Sequence, residues 1–146
     1  MRHMFCFNWK KVIFFVELLA IGLYAYSMDT TEILVQNEKR EALIYIPKEI
    51  KTEYQPIIFV FHGHGGSMAT AATKFHFESL WPEAVVVYPQ GLPTPTLSDP
   101  EGKKSGWQRY IGDQEDRDLK LFDEIMIYLE EKYQITREAL AKVSLF

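Results

Sequence analysis

Sulfur chemistry is almost absent from this chain: one cysteine, Cys6, in 146 residues. A lone thiol excludes an internal disulfide framework and a cysteine-rich metal site. No lipid-attachment pattern surrounds Cys6, so it is assigned no role. Positive charge is also scarce. Lys and Arg number 16 against 20 Asp and Glu, a formal charge of −4, which leaves no basic surface for nucleic acid. Internal repeats and low-complexity stretches are missing. What is present is apolar and aromatic side chain, 47% and 14% of residues, enough to bury a core and to exclude global disorder.

The first 27 residues read as a signal peptide. Arg2, His3, Lys10 and Lys11 form a basic head, and residues 12–26 are apolar apart from Glu17. That run is shorter than the ~20 residues that span a bilayer comfortably. Glu17 would add roughly 2–3 kcal/mol at mid-membrane. Ala25-Tyr26-Ser27 offers small residues at the positions a signal peptidase inspects, so cleavage is expected before Met28. Residues 28–146 then form the mature domain, secreted or periplasmic, with no stable membrane association after cleavage. An uncleaved anchor and a translation start at Met28 are the two alternatives.

Past Met28 the pattern is α/β. Residues 31–36 and 41–46 read as strands joined by the polar stretch 37–40, an antiparallel hairpin closed by Pro47. Residues 57–61 and 84–88 are apolar runs of the kind buried on both faces of a sheet. Between them, residues 67–80 favour a helix with Ser67 as N-cap. Residues 116–133 give the strongest helix. Leu119, Phe122, Ile125, Met126, Leu129 and Tyr133 share its expected apolar face, and Asp116 and Asp118 suit its positive end. Residues 136–141 read as a short helical turn, and Val143 opens a last strand. A hairpin followed by alternating strands and helices predicts the N-terminal portion of a doubly wound sheet. A whole domain of that kind runs to about 250 residues, so these residues are expected to form its front part. Residues 90–114 make a Gly- and Pro-rich loop long enough to be functional.

The chemistry concentrates at His62-Gly63-His64-Gly65-Gly66-Ser67, directly after the 57–61 strand and before a helix. Glycines there let the chain turn sharply and aim N–H groups into open space, the arrangement that stabilises a developing oxyanion. The backbone N–H of His64 is the first candidate donor and that of Gly65 the second.

Taken in order, R-x-x-x-x-Y-I-P (residues 40–47), V-F-H-G-H-G-G-S (60–67), V-V-Y-P-Q-G (86–91), Gly106-Trp107, Asp116-Arg117-Asp118 and K-Y-x-I (132–135) are similar to the polyhydroxybutyrate depolymerase and feruloyl esterase family of α/β-hydrolases. The resemblance covers roughly residues 31–146. It implies a secreted serine carboxylic-ester hydrolase acting on polyester or on feruloyl and acetyl esters, without a cofactor. The expected partner is therefore a small-molecule or polymeric ester. An HGGG-type oxyanion segment fits residues 62–66. The nucleophile elbow G-x-S-x-G occurs nowhere in the sequence, and the family's nucleophile, acid and base match no position here. The chain by itself is therefore expected to be inactive.

Blander roles compete for the same residues. His62 serves structurally at a strand end, or else pairs with His64 as a metal ligand of a metallohydrolase. Ser67, Ser79, Ser98, Ser105 and Ser144 lack a nucleophile's context. His76 belongs to a helix, near a site rim or partly buried. Trp107 and Tyr110 either line a cleft or pack the long loop down. Asp113, Glu115, Asp116 and Asp118 are helix-start charges. From another class altogether, the chain is a non-catalytic or membrane-anchored protein that holds a ligand or carbohydrate with residues 90–110.

Overall fold

The computed structural model describes residues 28–51, 55–135 and 143–145. The expected signal segment (1–27) and the turn at 136–141 lie outside the described residues. Strands β1 (Met28–Val35) and β2 (Glu38–Tyr45) form the initial hairpin. Its connection is tighter than expected. Only Gln36 and Asn37 turn the chain, both at positive φ (49° and 69°), a two-residue hairpin geometry that matches strand twist. Residues 38–40 therefore belong to β2. Their polarity was misleading because Arg40 is buried against an internal carboxylate rather than solvated.

β3 (Ile57–Phe59) and β4 (Val85–Pro89) run parallel, and β7 (Val143–Leu145) lies parallel to β3 on its other side. The sheet order is β1-β2-β4-β3-β7, with β2 antiparallel to β4. Between β3 and β4 come helices α1 (Met68–Phe75) and α2 (Phe77–Leu80). A third helix, α3 (Arg117–Tyr133), follows the long loop. The class is α/β, the front of a doubly wound sheet with a hairpin at its start. Side chains alternate across the sheet as strand geometry requires. Ile33, Ile44, Phe59, Val85 and Val87 pack on α3, whereas Tyr45, Ile58, Val60, Val86 and Tyr88 face Ala71 and Ala72 of α1. Helices cover both faces.

The helix expected over 67–80 is broken at His76, which takes a left-handed conformation (φ 49°). The Tyr88 hydroxyl accepts from the Phe77 N–H at 3.0 Å and donates to Glu78 at 2.7 Å, so a side chain replaces the carbonyl a continuous helix would supply. Burial first, and then the bond to Glu78, push the Tyr88 hydroxyl above its ordinary range. The Ser67 cap is in place: its side chain accepts from Thr70 N–H, and Thr70 Oγ1 accepts from Ser67 N–H at 2.9 Å. Helix α3 buries Leu121, Ile125, Met126 and Leu129. Leu119, expected inside, is 46% exposed in the first turn of the helix, and Leu121, not among the residues expected inside, is buried. The long loop is organised by its own short ladder, β5 (Leu92–Pro93) with β6 (Ser105–Gly106).

Candidate functional site

The site grows from the carboxyl end of β3. Val60 continues the ladder by donating to Val87 O at 2.8 Å, and the chain then leaves the sheet through His62. His62 is 4% exposed. Its Nε2 accepts the Gly91 N–H at 3.0 Å, which requires that nitrogen to be unprotonated; Nδ1 then carries the proton and donates to Gly63 O at 2.8 Å. Both ring nitrogens are thus spent inside the protein, and His62 is structural. The metal reading of His62 with His64 loses its ligand for that reason. Among the described residues no cluster of three metal-ligating side chains occurs either.

A tight turn follows, closed by Gly66 N–H on Gly63 O at 2.9 Å. Gly65 sits at φ 77°, where a side chain would be strained. Its N–H donates to Ser105 O at 2.7 Å, and Ser105 Oγ returns a bond to Gly66 O at 2.7 Å. The Gly65 donor is therefore occupied, which removes the second candidate for an oxyanion contact. The His64 N–H has no acceptor among the described residues. The N–H groups of His62 and Gly63 have none either, so His64 is one of three open donors in the turn.

The His64 ring is wedged in place. Its Nε2 lies 3.3 Å from Asp99 Oδ2, and on its other side a Cβ on Gly106 would come within 2.8 Å of Nδ1. Gly106 is glycine because the imidazole occupies the space. Asp99 is held low in pKa chiefly by the Lys104 N–H, further by the Lys103 N–H and by His64. Residues 94–106 thus both buttress the turn and bound a cleft of about 750 Å³ whose lining includes Pro95, Leu97, Trp107, Gln108 and Arg109. Trp107 does both things expected of it. Its Nε1–H donates to His62 O at 2.8 Å, its ring meets Phe61 edge-on at 4.9 Å, and it also walls the cleft. Tyr110 is 65% exposed.

No described serine hydroxyl bonds an imidazole. Ser67 caps α1, Ser98 pairs with Thr96 at 3.2 Å, and Ser105 is the staple noted above. Ser79 is exposed on α2, and Ser144 lies on β7. His76 is exposed at the helix break, 3.6 Å from Glu78.

Two features of the site escaped the sequence reading. Asp118 is more than a helix-start charge: it pairs with Arg40 at 2.9 Å, both side chains being nearly inaccessible (7% and 1%), and accepts the Gln108 N–H at 2.6 Å. Arg40 also donates to Gln90 O at 3.1 Å. Gln90 is the second, its carboxamide reaching His62, Gly91 O and Met68 N–H. The signal available in the sequence was position, a polar residue at the carboxyl end of a fully apolar strand.

No family model and no curated protein matches the chain. Among solved structures the chain is similar to an esterase of Pyrobaculum calidifontis in its monoclinic form (15% identity, TM-score 0.48, 93% of this chain and 39% of that one). A second structure, a hyperthermophilic esterase from the same archaeon, gives 13% identity and a TM-score of 0.47 over 99% of this chain and 44% of that one. An alpha-beta serine hydrolase homologue from Coxiella burnetii gives 18% and 0.48 over 84% of this chain and 52% of that one. The chain spans about half or less of the length of each.

Proposed function

We propose that this chain supplies the N-terminal part and the oxyanion loop of a secreted serine carboxylic-ester hydrolase, with polyester or feruloyl and acetyl esters as substrates. The observation that carries the reading is a run of open peptide N–H groups, His62 to His64, at the carboxyl end of a parallel strand, with those of Gly65 and Gly66 bonded within the protein. A preorganised donor of that kind acts on charge that develops in the transition state. It does nothing until a nucleophile delivers that charge, and the sequence holds no G-x-S-x-G. Turnover of p-nitrophenyl esters by these 146 residues is therefore expected at background. The coding DNA after codon 146 is expected to encode G-x-S-x-G within a strand's length in one of its three frames. A stretch without the motif in any frame defeats the proposal.

The cleft beside Trp107 favours a second reading, a non-catalytic ligand-binding protein. Quenching of Trp107 fluorescence by a saturable small ligand, together with motif-free downstream DNA, would select it.

A further inference from the structure

The turn at residues 62–67 is held at both ends by one side chain. At its entry, Gln90 Nε2 lies 3.2 Å from His62 Nε2. At its exit, Gln90 Oε1 accepts the Met68 N–H, the first of α1, at 3.0 Å. The remaining amide hydrogen goes to Gly91 O at 3.0 Å. Every partner has a fixed sense. The Gly91 N–H makes His62 Nε2 an acceptor, Gly91 O can only accept, and Met68 N–H can only donate. A flipped carboxamide would face two acceptors with its oxygen and one donor with its NH2, so a single orientation satisfies all of them. The main chain of Gln90 is fixed as well: its N–H donates to Glu41 O at 2.8 Å, and its carbonyl accepts from Arg40.

We propose that Gln90 is the positioning residue of the oxyanion turn. It ties His62 and the start of α1 to a strand end that the hairpin and the Arg40–Asp118 pair immobilise, and so sets where the His64 N–H points. This rests on reading the 62–67 turn as an oxyanion loop. The exchange of nearby amides reports the clamp whether or not the turn meets an oxyanion, so the two ideas fail separately.

The test is nitrogen-15 NMR of the full chain at neutral pH, with amide hydrogen exchange. Gln90→Glu keeps the volume and the acceptor for Met68 but puts an acceptor opposite His62 Nε2. Because the Gly91 N–H keeps that nitrogen an acceptor, the carboxylate is repelled by both His62 Nε2 and Gly91 O, and the Gly65 and Gly66 amides of the loosened turn are expected to exchange faster than in the wild type. Gln90→Met removes donor and acceptor together. Gly91 still donates to the ring, so the His62 pattern is expected to stay as in the wild type, while the Gly65, Gly66 and Met68 amides, all bonded in the wild type, exchange roughly 5- to 10-fold faster, the effect of one lost hydrogen bond. Val86 and Ile125, in the core, are expected to keep their wild-type rates. Wild-type exchange at Gly65 and Gly66 in both variants overturns the proposal. So does uniform acceleration that includes Val86 and Ile125 in Gln90→Met, since that is loss of general stability rather than of a clamp. If Gln90→Glu does not fold, the Gln90→Met exchange pattern decides alone.

Discussion

At the scale of single residues the site separates backbone from side-chain roles. If the proposed function holds and a longer product supplies the nucleophile, His64→Pro removes an open N–H and is expected to lower kcat by roughly 100-fold or more, the usual consequence of deleting one oxyanion donor. His64→Ala keeps the N–H and loses only the contact of the ring with Asp99, so a loss of less than about 10-fold is expected. Equal losses would show that the imidazole matters and the peptide does not. The Arg40–Asp118 pair follows another logic. Arg40→Met strands a carboxylate that is 7% exposed, and about 3–5 kcal/mol of stability should disappear in urea titration. Adding Asp118→Leu is expected to restore a good part of that, because no unpaired charge stays buried, although the Gln108 N–H then loses its acceptor. A double variant as unstable as the single one would show that the pair is not what Arg40 contributes.

At the scale of elements, what the sequence displayed was periodicity, and what it hid was side chains that substitute for backbone. The β3 and β4 runs and the buried side of α3 were legible because each is a continuous or periodic apolar pattern. The break at His76 was not, since it depends on the Tyr88 hydroxyl arriving from a strand eleven residues beyond Phe77. The same holds for the hairpin end, where Arg40 looked solvated until Asp118 came to it from 78 residues away. In the site, the glycine-framed turn was visible locally; the occupation of Gly65 by Ser105 was a long-range fact. The entry to α3 is built likewise. Gln114, Glu115 and Asp116 all stand at positive φ, 50°, 58° and 57°. Asp116 holds this turn by accepting from the Gly112 N–H at 2.6 Å and the Gln108 amide at 3.0 Å. Those bonds, the Gly112 N–H foremost, lower its pKa from the ordinary 3.8. A depressed carboxylate favours the fold above its unfolded value and stops doing so as pH falls through the folded one. Local order at residues 112–116 should therefore hold at pH 5, start to weaken only below the ordinary value of 3.8, and be lost as pH falls through the lowered folded value. Asp116→Asn is expected to flatten that dependence in amide exchange at Tyr110 and Gly112. An unaltered acid profile in the variant would assign the effect elsewhere.

At the scale of the whole molecule the outer strand fixes what the sheet needs at its edge. Met28, the first described residue, pairs with Tyr45 in register, and its side chain packs partly buried on the face shared by Tyr45, Ile58 and Val86. Tyr45 in turn donates to Pro82 O at 3.0 Å, tying that corner to the end of α2. A cleavage before Met28 thus leaves all eight residues of β1 for pairing, whereas one three residues later would strip the Met28–Tyr45 and Thr30–Leu43 partners from the sheet. Intact-mass measurement of protein exported by a host with a secretory pathway is expected to give a chain beginning at Met28. Deleting residues 28–30 from that product is expected to lower its Tm by several degrees, as a loss of about 1–2 kcal/mol from a domain of this size would. Exported material that retains residues 2–26 in a membrane fraction would make the segment an anchor.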